Sequence, residues 1–417
     1  MAVKNAMYAQ SGGVTSVINA SACGVIQTAR RHPQSIGTLF AAKNGILGAL
    51  NEELIDTSYE DDATIAKLMH TPSGAFGSCR YKLKDNGPEF ERLLQVFKAH
   101  DIGYFFYNGG GDSQDTANKV AQMTATSGYP VTCIGIPKTV DNDLPFTDTC
   151  PGFGSVAKYI AISTLEAGFD VASMAASSTK VFILEVMGRH AGWIAASSGL
   201  AGRSANEPPH IILFPEVPFE PTVFLKRVAE CVETHGYCVI VVSEGIRNTQ
   251  GEFLSDAGLR DAFGHAQLGG VAPVLAQLIK HELGFKYHWA VADYLQRAAR
   301  HIASAVDVEQ AYALGQAAVE LALSGHNEIM PIILREQDVP YRWSISHVPL
   351  AEVANLEKTL PKAYISDDKM GITDACRRYL APLIQGEAYP PYVHGIPDYV
   401  RLNHRLVEKK LGSGPWR

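Results

Sequence analysis

A chain of 417 residues, 46% of them hydrophobic, is long enough for about two to three domains and can bury a full core without disulfides or a structural metal. Its 36 Lys and Arg against 43 Asp and Glu leave a formal charge of −7, which excludes a broad basic footprint for nucleic acid or an anionic membrane, so any anionic ligand must be met by a local cluster of cations and backbone amides. The seven cysteines are scattered, with no CxxC pair, and read as reduced thiols in a cytoplasmic protein, not as a disulfide frame or zinc site.

The amino terminus, MAVKNAMYAQSGG, has no basic stretch leading into an apolar signal core, and no apolar run reaches the ~18 residues of a membrane span. A soluble, cytoplasmic protein is expected. The fourteen histidines show no HExxH-type spacing, so no histidine metal site is expected either.

Taken in order, strand-like runs alternate with helix-like ones. KNAMYAQ (4–10) is followed by the loop SGGVTS (11–16), GTLFAA (37–42) by the helical PEFERLLQVFKAH (88–100), and GYFFYNG (103–109) by NGGGDSQDT (108–116) and the helical ANKVAQM. VTCIGI (131–136) leads into PKTVDND (137–143). Beyond Cys150-Pro151-Gly152 come the helical SVAKYIAISTLEAG, the strand KVFILEV before MGRHAG (187–192), HIILFP, the helical PTVFLKRVAECVET, and YCVIVVSEG. A long helix over 304–325 and the strand IMPIILRE complete the pattern. Short apolar strands fit a parallel sheet covered on both faces, and the helices repeat apolar residues at three- and four-residue steps. The fold expected is doubly wound α/β in two Rossmann-like, three-layer αβα domains. Residues 1–150 make the first, completed by part of 300–335, and residues 151–300 make the second. Residues 336–417, rich in Pro and Tyr, are expected to be an extension packed on the core.

Ligands of such folds sit at the carboxyl ends of the strands, where SGGVTS, NGGGDSQDT, PKTVDND and MGRHAG fall. A glycine pair there lets backbone amides approach a phosphate, and the helix that follows adds a partial positive charge. Judged singly, such a turn is more often a tight connection than an anion site. In PKTVDND, Asp141 and Asp143 flank Asn142 beside Lys138, which places two carboxylates where a hydroxyl can be deprotonated and a cation where phosphate can be held. The bland alternative is an Asx-type turn.

SGGVTSVINA, GGGDS, PKTVDND, VFILEVMGRHAGW, VVSEGI and YLQRA, in this order and spacing, resemble the phosphofructokinase family over roughly residues 5 to 335. The resemblance implies that the active site lies in the cleft between the two domains, the first holding the phosphoryl donor and the second fructose 6-phosphate. It also implies phosphoryl transfer to the C1 hydroxyl and a need for magnesium. By the same resemblance Asp141 is the general base, with Thr139 and Asp143 beside it. Gly12 and Gly13 form the turn that holds the transferred phosphoryl group. Met187, Gly188 and Arg189 line the sugar site, Glu244 binds sugar hydroxyls, and Tyr294 and Arg297 of YLQR clamp the sugar phosphate where many relatives have HxxR. GHAQLGG (264–270) offers a histidine in the same style but has Leu268 at the arginine place. Lys180 matches a basic residue that reaches the neighbouring subunit's sugar phosphate, with Lys286 and His288 as a second contact. Arg80 matches a basic residue near the donor. A homodimer, or a tetramer of such dimers, with shared active sites is implied.

Two positions depart from the ATP-using pattern GGDGS. Asp112 and Lys138 stand where those relatives carry glycine. A carboxylate at Asp112 repels a nucleotide's α-phosphate but leaves room for pyrophosphate, and Lys138 offsets charge on the transferred and leaving phosphates. This pairing resembles the pyrophosphate-dependent branch. Gly111 replaces the aspartate that relatives use for magnesium, so Asp112 is the first candidate ligand, with Asp141 and Asp143 as alternatives. An ATP-dependent enzyme or a non-catalytic regulatory subunit of the family are the rival readings. A dinucleotide fold would need GxGxxG after the first strand, and SGGVTSV does not supply it.

Overall fold

The computed structural model describes residues 3–84, 87–204, 206–260, 266–268, 270–354 and 356–412. Eleven of its strands fall into two sheets. The first contains β1 (Lys4–Gln10), β2 (Ile36–Ala42), β3 (Leu54–Asp56), β4 (Ile102–Gly109) and β5 (Thr132–Pro137). The second contains β6 (Val181–Val186), β7 (Ile211–Leu213) and β8 (Cys238–Ser243). A hairpin of β9 (Asp256–Arg260) and β10 (Ala266–Leu268) precedes β11 (Tyr287–Val291), which joins the second sheet. The chain then returns, and β12 (Ile329–Gln337) and β13 (Arg342–Pro349) extend the first.

The first sheet has the order β13-β12-β5-β4-β1-β2-β3 and the second β11-β6-β8-β7. All pairs are parallel except the two outermost of the first sheet, β2 with β3 and β12 with β13. The parallel pairing follows from the strands' composition. In β1, Met7 and Ala9 face a core shared with helices Pro88–Ala99 and Gly111–Thr126, while Ala6 and Tyr8 face one shared with helices Ile18–Arg31 and Ala305–Leu323. A strand covered on both faces cannot alternate apolar with polar, so it reads as a continuous apolar run. The second sheet repeats the arrangement. Leu184 and Val186 pack with helix Phe153–Met174, while Val181 and Ile183 pack with helices Pro221–His235 and Val271–Leu283.

Several helix ends follow from local sequence. Pro88 and Pro221 open their helices, Gly236 ends the latter in a left-handed conformation, and the Ser304 hydroxyl caps Ala305–Leu323 by accepting from the Asp307 N–H. Helix Phe153–Met174 runs six residues beyond the apolar period that marks it at 155–168, and HIILFP contributes only three strand residues.

Beyond 350 the chain is mostly extended and touches both sheets. Helix Asp374–Leu380 puts Cys376 and Leu380 into the core of the second. The Asp56 N–H donates to the Arg405 carbonyl and the Val407 N–H to that of Leu54, each at 2.9 Å, so this segment covers the edge strand β3. No helix among the described residues is long and apolar enough to cross a membrane.

Candidate active site

The loops at the carboxyl ends of β1, β4, β5, β6 and β8 converge on one cleft, joined by helix Asp293–Ala298 after β11. Gly12 has φ +75°, and a β-carbon on Gly13 would stand 2.7 Å from a guanidinium nitrogen of Arg297 and 3.5 Å from one of Arg80. The first glycine is needed for its backbone conformation and the second for close approach. The turn is held from outside: the Gly12 N–H donates to the Cys79 carbonyl at 3.0 Å and the Ser78 hydroxyl to the Gly12 carbonyl at 2.8 Å. Lys138, 4% exposed, donates its ammonium to the Gly13 carbonyl. Three cations, Lys138, Arg80 and Arg297, thus surround one turn.

Carboxylates gather next to them. Asp141 is pushed up to about 7, first by burial, then by Asp143 and Glu244, against the pull of Lys138 and Arg189. Burial also raises Asp143 and Glu244. Lys138 falls to about 8 because burial and the two arginines outweigh its attraction to Asp143 and Asp141. The Asp141 N–H donates to the Thr139 hydroxyl at 3.1 Å, and the same hydroxyl hydrogen-bonds the Asp143 carboxylate, whose Oδ1 is buried without a hydrogen-bond partner. Between the two aspartates, fully buried Asn142 has φ +54°, and its carboxamide donates to the Tyr379 hydroxyl at 3.0 Å and accepts from the Cys150 N–H at 3.1 Å. The chemistry is polarised: cations and amides for phosphate at one end, and at the other a carboxylate that exchanges its proton near neutrality.

Gly188, at φ +129°, has its carbonyl fixed by the Ser243 hydroxyl, and its N–H hydrogen-bonds the Glu244 carboxylate. The Met187 N–H donates to the Gln296 side chain at 3.3 Å, tying the MGR loop to helix Asp293–Ala298. Arg189 Nε is buried without a hydrogen-bond partner, a donor ready for an anionic or hydroxylic ligand. The Arg297 guanidinium lies 3.9 Å from the ring centroid of Tyr294, itself 62% exposed.

Asp112 lies in the first turn of helix Gly111–Thr126, with Oδ1 3.1 Å from the Lys82 ammonium. A β-carbon on Gly111 would meet nothing within 4 Å, so the helix start faces open space.

Lys180, Lys286 and His288 are not brought to this cleft. Lys180 precedes β6, at the opposite end from Met187, so the strand separates them by about 20 Å at ~3.3 Å per residue. Its ammonium donates to the Ala175 carbonyl, its N–H to the Lys286 carbonyl, and the Lys286 ammonium to Ser178 Oγ at 2.9 Å. His288 lies exposed on edge strand β11. In GHAQLGG, residues 264, 265 and 269 lie outside the described residues.

Some participants carry no sequence signal. Glu216 Oε1 accepts from the Gly192 N–H of the MGRHAG loop and from the Leu360 N–H, both at 2.9 Å, and Lys358 reaches under Asn142. Neither is near the cleft in sequence or part of a period. A His/Cys cluster absent from any sequence spacing also forms, far from the cleft: ligand atoms of His210, Cys231 and His235 lie within 4.8 Å of one another. The Val239 N–H donates to His210 Nδ1 at 3.0 Å, which leaves the proton of the neutral ring on buried Nε2. In that tautomer the nitrogen presents a proton, not a lone pair, to the cluster. Cys238 above all, with the His210 and His235 rings beside it, holds Cys231 down to about 5.

A family model described as phosphofructokinase matches residues 5–322. A pyrophosphate--fructose 6-phosphate 1-phosphotransferase of Methylococcus capsulatus is 65% identical over 416 residues, covering 99% of each chain. The crystal structure of a pyrophosphate-dependent phosphofructokinase from Marinobacter aquaeolei is similar with TM-score 0.91 and 64% identity, over 98% of this chain and 99% of that one. An ATP-dependent 6-phosphofructokinase 2 of Streptomyces coelicolor is 35% identical over 254 residues, 61% of this chain and 68% of its own.

Proposed function

Because the chain belongs to the phosphofructokinase family, we propose that it catalyses reversible transfer of a phosphoryl group from pyrophosphate to the C1 hydroxyl of D-fructose 6-phosphate, giving fructose 1,6-bisphosphate and phosphate. The full-length similarity to pyrophosphate-dependent relatives supports this donor. The observation that carries the mechanism is the Asp141 carboxylate, poised at about 7 within reach of the field of a buried lysine. Asp141 takes the C1 proton as the hydroxyl oxygen bonds to the transferred phosphorus, and the bond from that phosphorus to the leaving phosphate breaks. The Gly12-Gly13 turn, whose first amide is spent on the Cys79 carbonyl, holds the phosphoryl group through Gly13 with Arg80, and Lys138 offsets charge on the transferred and leaving phosphates. Met187, Gly188, Arg189 and Glu244 hold the sugar, and Thr139 and Asp143 orient the base; Arg297, which its motif assigns with Tyr294 to the sugar phosphate, stands in this chain against the Gly13 turn on the donor side. The first sheet thereby carries the donor side and the second the sugar side.

Family members generally use magnesium. Asp112, beside the open space at Gly111, is the ligand we assign first, and Asp143 with its unpartnered Oδ1 is the alternative that leaves Asp141 to act as the base. Magnesium keeps waters and substrate phosphate oxygens for its remaining positions, so this donor set fits it. Bound there, it would supply neutralising charge to the phosphates.

The donor is tested by assaying the purified protein with pyrophosphate and with ATP at equal concentrations. Product formation with pyrophosphate and little with ATP is expected, and the reverse result would make it an ATP-dependent enzyme.

A homodimer is supported by the free edge of the second sheet. Trp289 and Val291 on β11 and Tyr294 and Leu295 just after it are exposed apolar residues along an edge whose amino end carries Lys180 and Lys286. A second copy covering this edge can receive Lys180 at its sugar phosphate. Lys180→Ala should then raise the KM for fructose 6-phosphate more than that for pyrophosphate. Mixed with an inactive Asp141→Ala chain, it should give about a quarter of wild-type activity, because random exchange makes half the dimers hybrid and each hybrid has one intact site of two. If subunit exchange is demonstrated and no activity returns, sites are not shared.

A further inference from the structure

Residues 357–360, extended chain beyond the region of family resemblance, run directly beneath the loop that carries Asp141 and Asp143. The Lys358 N–H donates to the Asp143 carbonyl at 2.6 Å. Its ammonium donates to the carbonyls of Thr147 at 2.9 Å and Asp148 at 3.0 Å and to Asn142 Oδ1 at 3.3 Å, so all three of its donors are used inside the protein. The Lys358 carbonyl accepts from the Trp193 indole N–H at 2.9 Å, and its ammonium stands 5.4 Å from the Trp193 ring centroid. On either side of Lys358 the segment grips the other loop of the cleft. Glu357 lies 3.1 Å from His190 Nδ1, and the Leu360 N–H shares Glu216 Oε1 with Gly192.

The consequence for the reacting groups runs through Asn142. Its left-handed backbone turns the chain between two aspartates, so the direction of each carboxylate depends on how firmly the Asn142 side chain is held. Tyr379 holds its amide nitrogen, while the Cys150 N–H and the Lys358 ammonium both hold its oxygen. Without that ammonium, two backbone carbonyls and the Asn142 oxygen lose a charged donor in a partly buried place, where unmade hydrogen bonds are expensive.

We propose that Lys358 is a positioning residue for the phosphoryl-transfer step. Its ammonium fixes Asn142 and hence the Asp141 and Asp143 carboxylates, and the segment Glu357–Leu360 laces this loop to the one bearing Arg189 so that base and sugar site move as one body. The proposal rests on the assignment of Asp141 as the base.

The test is steady-state kinetics of Lys358→Met, which keeps the apolar stem and deletes the three donors, alongside Tyr379→Phe and Asp141→Asn. A misplacement near 1 Å can lower turnover about 10²-fold. Lys358→Met should therefore lose about 10- to 100-fold in kcat with the KM for both substrates little changed, a split that loss of folded protein would not produce once rates are normalised to folded enzyme. Tyr379→Phe loosens the other side of Asn142 while keeping the ring beside Trp193 and should lower kcat in the same sense by less. Wild-type kcat in folded Lys358→Met, with Asp141→Asn inactive, overturns the positioning role alone. Wild-type kcat in Asp141→Asn overturns the base assignment instead. Should Lys358→Met not fold, Tyr379→Phe decides, and a normal kcat there overturns the proposal.

Discussion

Asp141→Ala should lower kcat by about 10²- to 10⁴-fold, the range for a positioned general base, while the KM for fructose 6-phosphate changes little. The structure gives this a pH signature. The Asp141 carboxyl is pushed up to about 7, and only its deprotonated form can accept the C1 proton. In the pyrophosphate-consuming direction kcat/KM should rise with pH through about 7. In the reverse direction Asp141 must return a proton to the oxygen on C1, so the protonated form is the active one and the same limb should fall. A near-normal kcat in Asp141→Ala, or limbs of the same sign in both directions, removes Asp141 from the mechanism. Stability follows the opposite logic. A carboxyl whose pKa is raised on folding binds more protons in the native than in the unfolded state, so stability decreases as pH rises from about 4 to about 7. Asp141→Asn should therefore raise the melting temperature at pH 8 and do so much less at pH 4. A variant more stable and nearly inactive is the expected outcome, because the burial that strains the carboxylate is what tunes it.

The two-sheet architecture and the loops at the strand ends were legible because both depend on local pattern. Continuous apolar strands, three- and four-residue helix periods and glycine turns are properties of a few neighbouring residues, and β1, β4, β5, β6 and β8 begin and end within a residue or two of their apolar runs. Lys138, Asp141, Arg189 and Glu244 lie in such loops and meet across the cleft. Lys358 and Glu216 were illegible for the converse reason. Each acts through backbone hydrogen bonds to residues more than twenty positions away, and extended chain has no period to mark it. Lys180 is a third kind of case. Its motif identified it, but within one chain it faces away from the cleft, at the amino end of β6, and only a second copy can give it the role its motif implies.

Lys138→Gly should depress pyrophosphate turnover by about 10²- to 10³-fold, the loss typical of removing one preorganised charge-stabilising donor, and should not create good ATP use. Asp112→Gly should act differently in kind. Lys138 is buried and donates to the Gly13 carbonyl, so its charge lies against the turn assigned to the transferred group and stabilises a transition state lacking a nucleotide's other contacts. Its ammonium titrates at about 8, and turnover should therefore fall through that pH on the alkaline side, a limb that Lys138→Gly should abolish. Asp112 contributes by exclusion. The helix it opens has Gly110 at its cap with no side-chain cap hydrogen bond, and the Asp112 carboxylate is instead paired with Lys82. Capping therefore does not explain the residue. What remains structurally is a partly exposed ion pair and a charge near the helix N-terminus, each worth up to about 1 kcal/mol. Its larger effect should be on the donor: a carboxylate next in sequence to the open helix start at Gly111 should repel an α-phosphate and leave the two phosphoryl groups of pyrophosphate their place. Asp112→Gly should raise kcat/KM for ATP relative to pyrophosphate with only a small change in melting temperature, and the ratio of the two kcat/KM values is the quantity to measure. An unchanged ratio in the folded variant would leave Asp112 its pair with Lys82 and the magnesium role assigned to it, and would place donor choice elsewhere in the cleft.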